Sequence, residues 1–166
     1  MPNLGGYLMI QSAKRFGLAF GATATLMMAT PAASQLTIFE DYTPSDGVIE
    51  MTLVEVEEGM MDTYLEGLRG TWVAANDVAQ RLGHIEGYGM YMVPYGPGDS
   101  FNLVLTIRMA ATSDISVSQD RYNEFMAAWG QENMDRSNQT VRDLYNNIRE
   151  IQGTYMLREI EMNTGE

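Results

Sequence analysis

Hydrophobic positions along this chain recur with two periods, and the switches between them mark out its elements. From Ile49 to Glu57 apolar residues occupy both faces of an alternating pattern, with Ile49, Met51 and Leu53 on one side and Val54 and Val56 on the other. That predicts a strand covered on both faces. Glu57, Glu58 and Gly59 form a turn, and Met61, Tyr64, Leu65, Leu68, Trp72, Ala75, Ala79 and Leu82 follow at steps of three and four. The stripe predicts an amphipathic helix over 60–82, with Gly83 placed to end it. A hairpin is predicted next, 85–93 paired with 101–109 around a loop rich in Pro and Gly. Its first arm carries glycine at alternate positions, Gly87 and Gly89, which lets another element come close. In its second arm Phe101, Leu103, Leu105, Ile107 and Met109 make an apolar face, and Asn102, Val104, Thr106 and Arg108 a mixed one.

After a polar loop at 113–118, helical spacing resumes at Asp120 with Tyr122, Phe125, Met126 and Trp129. It breaks at Gly130 and continues through Met134, Val141, Leu144, Tyr145 and Ile148. A last strand is expected over 151–162, followed by a polar tail at 163–166. The order β-α-β-β-α-β defines an α+β class with an antiparallel, ferredoxin-like sheet in one domain, 48–162. The stretch 35–47 is expected to be a linker, with room for a short strand at 35–39 and Pro/Gly punctuation after it.

Residues 1–34 read as a signal peptide. Lys14-Arg15 precedes an apolar run from Phe16 to Ala29, and small residues precede a cleavage position after Ser34, with Met9 as an alternative start. The apolar run is short for a membrane span. The expected location is therefore periplasmic or extracellular, with no stable membrane insertion after cleavage. Composition narrows the partners. The 166 residues carry a formal charge of −12, and the first 34 hold two basic residues and no acidic ones, so the remainder is more acidic still. Such a surface repels nucleic-acid phosphates and anionic lipid. With no cysteine, disulfides, thiolate catalysis and Cys-ligated metal are excluded.

At the level of its element order the chain resembles the dimeric α/β-barrel superfamily, which includes small antibiotic-biosynthesis-type monooxygenases and EthD-like and NIPSNAP-like proteins. It also resembles uncharacterised exported bacterial proteins of that fold. The likeness is carried by Met51-Thr-Leu-Val-Glu-Val-Glu-Glu-Gly59, the helix with Trp72, and Gly87-Tyr-Gly-Met-Tyr91 leading to Asn102-Leu-Val-Leu-Thr106, and it spans about 48–162. It implies two sheets paired across a two-fold axis, hence a homodimer. A sheet apolar on both faces with helices for only one side independently asks for a partner. The likeness holds no catalytic motif, so function transfers from it by analogy only.

The candidate chemistry has a bland counterpart at each position. His84, the single histidine, suits a general base or a haem axial ligand, but it equally suits a helix end, answering the C-terminal dipole. Tyr88, Tyr91, Tyr95 and Tyr155, with Trp72 and Trp129, fit a pocket for a flat hydrophobic molecule; aromatic residues at these spacings are more often core. Arg108 and Arg158 can clamp a carboxylate or pair with Glu50, Glu55 or Glu159. Asn76 and Asn102 are neutral hydrogen-bonding candidates. Glu55, Glu57, Glu58 and Asp62 can form a calcium site or a solvated edge, and no EF-hand-like loop supports the former. No cofactor or metal is expected. The pocket set is Trp72, Asn76, His84, Tyr88, Tyr91, Asn102, Arg108 and Tyr155. These readings point to an exported homodimer that binds a hydrophobic small molecule or acts as a structural module. The alternatives are a cofactor-independent oxygenase or isomerase, and a subunit of a larger extracytoplasmic assembly.

Overall fold

The computed structural model describes residues 35–96 and 100–164; the segment read as a signal peptide lies outside them. Four strands form one antiparallel sheet in the order β3-β4-β2-β5. They are β2 (Val48–Val56), β3 (Gly87–Met92), β4 (Leu103–Met109) and β5 (Arg149–Leu157). Placing the first and third strands of the β-α-β-β-α-β order at the centre makes this a ferredoxin-like α+β fold. Val54 lies opposite Leu103, Met51 opposite both Thr106 and Tyr155, and Gly89 opposite Thr106.

The first crossover is one continuous helix, built of α1 (Met61–Leu68), a π turn (Arg69–Val73) and α2 (Ala74–Arg81). The second consists of α3 (Gln119–Trp129), α4 (Gln131–Thr140), a second π turn (Val141–Tyr145) and α5 (Asn146–Ile148). Gly130, at φ +85°, separates α3 from α4, a backbone conformation that an L side chain resists. Among the described residues no helix is long and apolar enough to cross a membrane.

The core lies between the sheet and these helices. Val54, Val56, Leu103 and Leu105 pack against Tyr64, Leu68, Tyr145 and Ile148, all buried. The Tyr64 and Tyr145 rings meet edge to face, 4.9 Å between centroids. Each such side chain contributes roughly 1.5–3 kcal/mol by leaving water.

Three features differ from the sequence pattern, each for a local reason. The helical stripe places Trp72, Ala75 and Ala79 inside, yet the buried positions past Leu68 are Thr71, Asn76 and Val78. The π turn widens the helix there and turns the later residues to a new angle. The expected strand over 151–162 is two strands: β5 starts two residues earlier, the chain bends at Arg158-Glu159, and β6 (Ile160–Met162) leaves the main sheet. It pairs instead with β1 (Tyr42–Pro44), antiparallel, with Tyr42 opposite Met162. Alternation alone does not say which partner a strand takes. At the expected 35–39 strand the described residues show a single bridge, Ile38 to Tyr42, instead of a strand.

Candidate functional site

Two of the concave regions among the described residues combine apolar walls with polar side chains. The first lies among the helices, where both π turns face one cavity of about 220 Å3. Leu68, Thr71, Trp72 and Ala75 line it from the first helix, and Phe125 and Trp129 from α3. Met134, Ser137, Val141 and Tyr145 come from the second helical stretch, and Arg149 from the start of β5. The walls are apolar with a few fixed polar groups, the pattern of small-molecule sites. Extra backbone turns of the π type recur at functional sites because they re-aim side chains.

The polar groups are Thr71, Tyr145, Arg149 and Ser137. The Thr71 and Tyr145 hydroxyls are 2.7 Å apart, and Thr71 Oγ1 also donates to the Gly67 carbonyl at 3.0 Å. Arg149 Nη1 donates to the Tyr64 hydroxyl, and its guanidinium lies over two rings, 4.9 Å from the Tyr145 centroid and 5.4 Å from that of Tyr64. Ser137 Oγ is buried and, among the described residues, has no hydrogen-bond partner. Burial pushes the Tyr64 phenol above its ordinary range, the charge of Arg149 offsetting only part of the rise. Tyr145 is raised for the same reason, against the pull of Thr71 and Arg149.

That shift has a signed consequence. An unfolded tyrosine loses its proton near pH ~10, whereas these two hold theirs to higher pH in the folded chain. Between those limits the folded state binds more protons, so stability is complete below pH ~10 and falls as pH rises beyond it. The expected result is a late tyrosinate absorbance step in an alkaline titration, with the melting temperature declining across the same interval. Tyrosines that all ionise together near the ordinary value would contradict it.

The second region is the sheet face turned away from the helices. Its rows, read from the registers, are Gly87-Arg108-Ile49-Leu157, Gly89-Thr106-Met51-Tyr155 and Tyr91-Val104-Leu53-Gly153. A shallow groove of about 390 Å3 lies over its upper part, lined by Ile49, Met51, Tyr91, Val104, Thr106 and Arg108 among others. Each outer strand carries the same device. The Tyr91 side chain lies over Gly89 and the Tyr155 side chain over Gly153, so close that a Cβ on Gly89 would sit 2.9 Å from the Tyr91 hydroxyl and one on Gly153 2.9 Å from the Tyr155 ring. Tyr91 and Tyr155 remain 56% and 51% exposed, so this largely apolar face is uncovered in the single chain.

The eight pocket residues named from the sequence are thus distributed. Tyr91, Arg108 and Tyr155 belong to the open sheet face, and Trp72 to the interhelical cavity. Tyr88 lines the edge of the groove, but its side chain turns to the helices, where its ring meets Trp72 edge to face at 5.2 Å. Its hydroxyl donates to Asp77 Oδ1 at 2.6 Å, and that bond holds the phenol above its ordinary range. Asn76 is buried and donates to the Trp72 carbonyl at 2.8 Å. His84 sits at a helix end, with its Nε2 2.9 Å from Glu124 of α3; the neighbouring Glu86 is not its partner. Asn102 is occupied by the backbone of Val56. Arg108 forms no ion pair among the described residues, and Arg158 bonds to Thr112 rather than to a glutamate. Among the described residues no three His, Asp or Glu side chains gather as a metal site requires. Sequence reasoning passed over Thr71, Ser137 and Arg149. The available signal was hydroxyl residues set among apolar helical positions, and an arginine four residues after Tyr145.

No family model and no curated protein sequence matches the chain. Among solved structures it is similar to a Shewanella oneidensis protein at 10% identity, with a TM-score of 0.46, covering 73% of this chain and 99% of that one. It is similar to a NIPSNAP family protein of unknown function from Agrobacterium tumefaciens at 14% identity and a TM-score of 0.45, covering 75% and 96%. A dimeric ferredoxin-like protein of unknown function from Thermobifida fusca follows at 5% identity and 0.38, covering 69% and 91%. The strand order and antiparallel registers define the fold on their own.

Proposed function

We propose that the protein is a homodimeric small-molecule-binding module working outside the cytoplasm, with its ligand held among the helices. The observation that carries this reading is the interhelical cavity, about 220 Å3 with apolar walls and four polar side chains. Its size lies below the ~300–1,000 Å3 typical of drug-sized ligands, so the occupant is a small molecule of one or two rings or a short chain. The uncovered apolar sheet face supports a second copy as partner, and the n-region, apolar run and small residues before position 35 support export. A cofactor-independent oxygenase or isomerase would draw on His84, Tyr88, Asn102 and Arg108. Three of these are already engaged, by Glu124, Asp77 and Val56, so catalysis takes second place.

Native mass spectrometry of the protein isolated from its own cells tests all parts together. The expected species is a dimer of chains processed near Ser34 that carries a small-molecule adduct. The adduct should disappear in Ala75→Leu, whose added carbons occupy the cavity. An adduct indifferent to that substitution, or a dimer that stays empty with every probe, removes the ligand reading. A chain still beginning at Met1 or Met9 removes export.

A further inference from the structure

The charge inside the interhelical cavity restricts what fits there. Arg149 is the one charged side chain among its lining residues. Among the described residues it has no carboxylate partner. Its two aromatic neighbours do not neutralise it, because Tyr64 and Tyr145 keep their protons at and well above neutral pH. A guanidinium held between two neutral rings gains some cation–π attraction, but a partly desolvated charge without a counter-ion remains costly. An anion in the cavity removes that cost, and guanidinium suits a carboxylate best because two parallel N–H groups can meet two oxygens.

The rest of the cavity sets the body of the ligand. Ser137, Val141 and Tyr145 line the cavity from the second helical stretch, and Arg149 lines it from the first residue of β5, just past the helix end, so the lining carries both a buried hydroxyl and the cation. Trp72, Phe125, Trp129 and Met134 add apolar surface. Ser137 Oγ, buried and without a hydrogen-bond partner among the described residues, is a polar group that a ligand atom or a water would complete. The chain is strongly acidic overall, which disfavours anions at long range. Among the described residues no carboxylate lines this cavity, however, and water screens the distant charges far more than it screens Arg149.

We propose that the cavity takes a small apolar carboxylic acid, its carboxylate on Arg149, its ring or chain between Trp72 and Trp129, and its far end toward Ser137. This rests on the ligand reading above and narrows it to one chemical class.

Trp72 and Trp129 provide the readout. Their emission is to be titrated with phenylacetate and with phenylacetamide, a neutral molecule of nearly the same shape, in the full-length protein. The acid is expected to bind at least roughly tenfold more tightly, the scale of a charge-assisted hydrogen bond. Arg149→Met should abolish that preference and Arg149→Lys should keep part of it. Ser137→Val, which keeps the cation, should leave the preference intact while altering both affinities. Melting curves confirm that each variant is folded; if Arg149→Met is not, the Arg149→Lys comparison decides, and a preference undiminished there overturns the proposal. Equal binding of acid and amide to the unaltered protein overturns the acid class but leaves the pocket standing. No response to either probe overturns both the class and the pocket.

Discussion

Asn102→Ala is expected to cost about 3 kcal/mol of folding stability, a large share of the ~5–15 kcal/mol that holds a domain of this size. Its side-chain amide acts as an extra rung of backbone. Oδ1 accepts from the Val56 N–H at 2.9 Å and Nδ2 donates to the Val56 carbonyl at 2.7 Å. The main chain of Asn102 is spent elsewhere: its N–H donates to the Val54 carbonyl, and its own carbonyl accepts from the Val93 N–H, both at 3.0 Å. The β2–β4 ladder ends at Val54 opposite Leu103, so the amide carries it onward to a residue that is only 3% exposed. Alanine leaves one donor and one acceptor without partners in that buried place, at ~1–3 kcal/mol each. A second variant, Asn102→Asp, would keep the bond from the Val56 N–H but set a carboxylate against the Val56 carbonyl, and should lose nearly as much. Urea melts read the difference as a lower midpoint with an unchanged slope. A midpoint within the error of the unaltered protein would show that water replaces the amide freely.

Asn102 also shows where the sequence was legible and where it was not. Its position in an alternating segment was plain, and so was the order of the elements, because periods of two and near four are imposed locally by strand and helix geometry. The glycine break at Gly130 and the helix end at Gly83 were legible for the same reason, since φ values of +85° and +72° at these positions favour glycine. What side chains meet across the fold was not. An asparagine that completes a backbone ladder and one that lines a pocket look alike until both strands are in place. His84 has a carboxylate two residues away in Glu86, but the fold brings it Glu124 instead. The two π turns left no mark in the stripe of apolar residues, and they are what turns Thr71 and Tyr145 toward each other. Arg149 falls between the expected helix and the expected strand, and only the packing of Tyr64 and Tyr145 around it reveals a lone cation at a cavity wall.

Met51→Glu is expected to turn the proposed dimer into a monomer, with at least roughly a hundredfold loss of association, the scale of one unpaired charge buried at an interface. Met51 lies on a central strand in the middle row of the open face, between Thr106 and Tyr155 in register. That face is close to two-fold symmetric in its own pattern. The Gly89–Tyr91 pair on β3 and the Gly153–Tyr155 pair on β5 occupy opposite corners, and each tyrosine shares a row with the other strand's glycine. An isologous interface sets the same face of two copies against each other. A second copy laid against it would remove Tyr91, Tyr155 and Leu157 from water together, the last 40% exposed in the single chain. Near the two-fold axis each introduced glutamate would be desolvated and set close to its own image. Burying a charge at an interface costs several kcal/mol, and two like charges add to that, which Arg108 in the next row of the same face offsets only in part. In the separated chain the same glutamate lies on an open face and loses little, so the monomer should stay folded, with its helical cavity intact. Light scattering at micromolar concentration distinguishes the outcomes, with Thr63→Glu, on an exposed helix position, as the charge control. A dimer that survives Met51→Glu but not a charge on the β1–β6 ribbon would move the interface to that ribbon. There Ile160 and Met162 stand exposed, and the open sheet would be free for another partner.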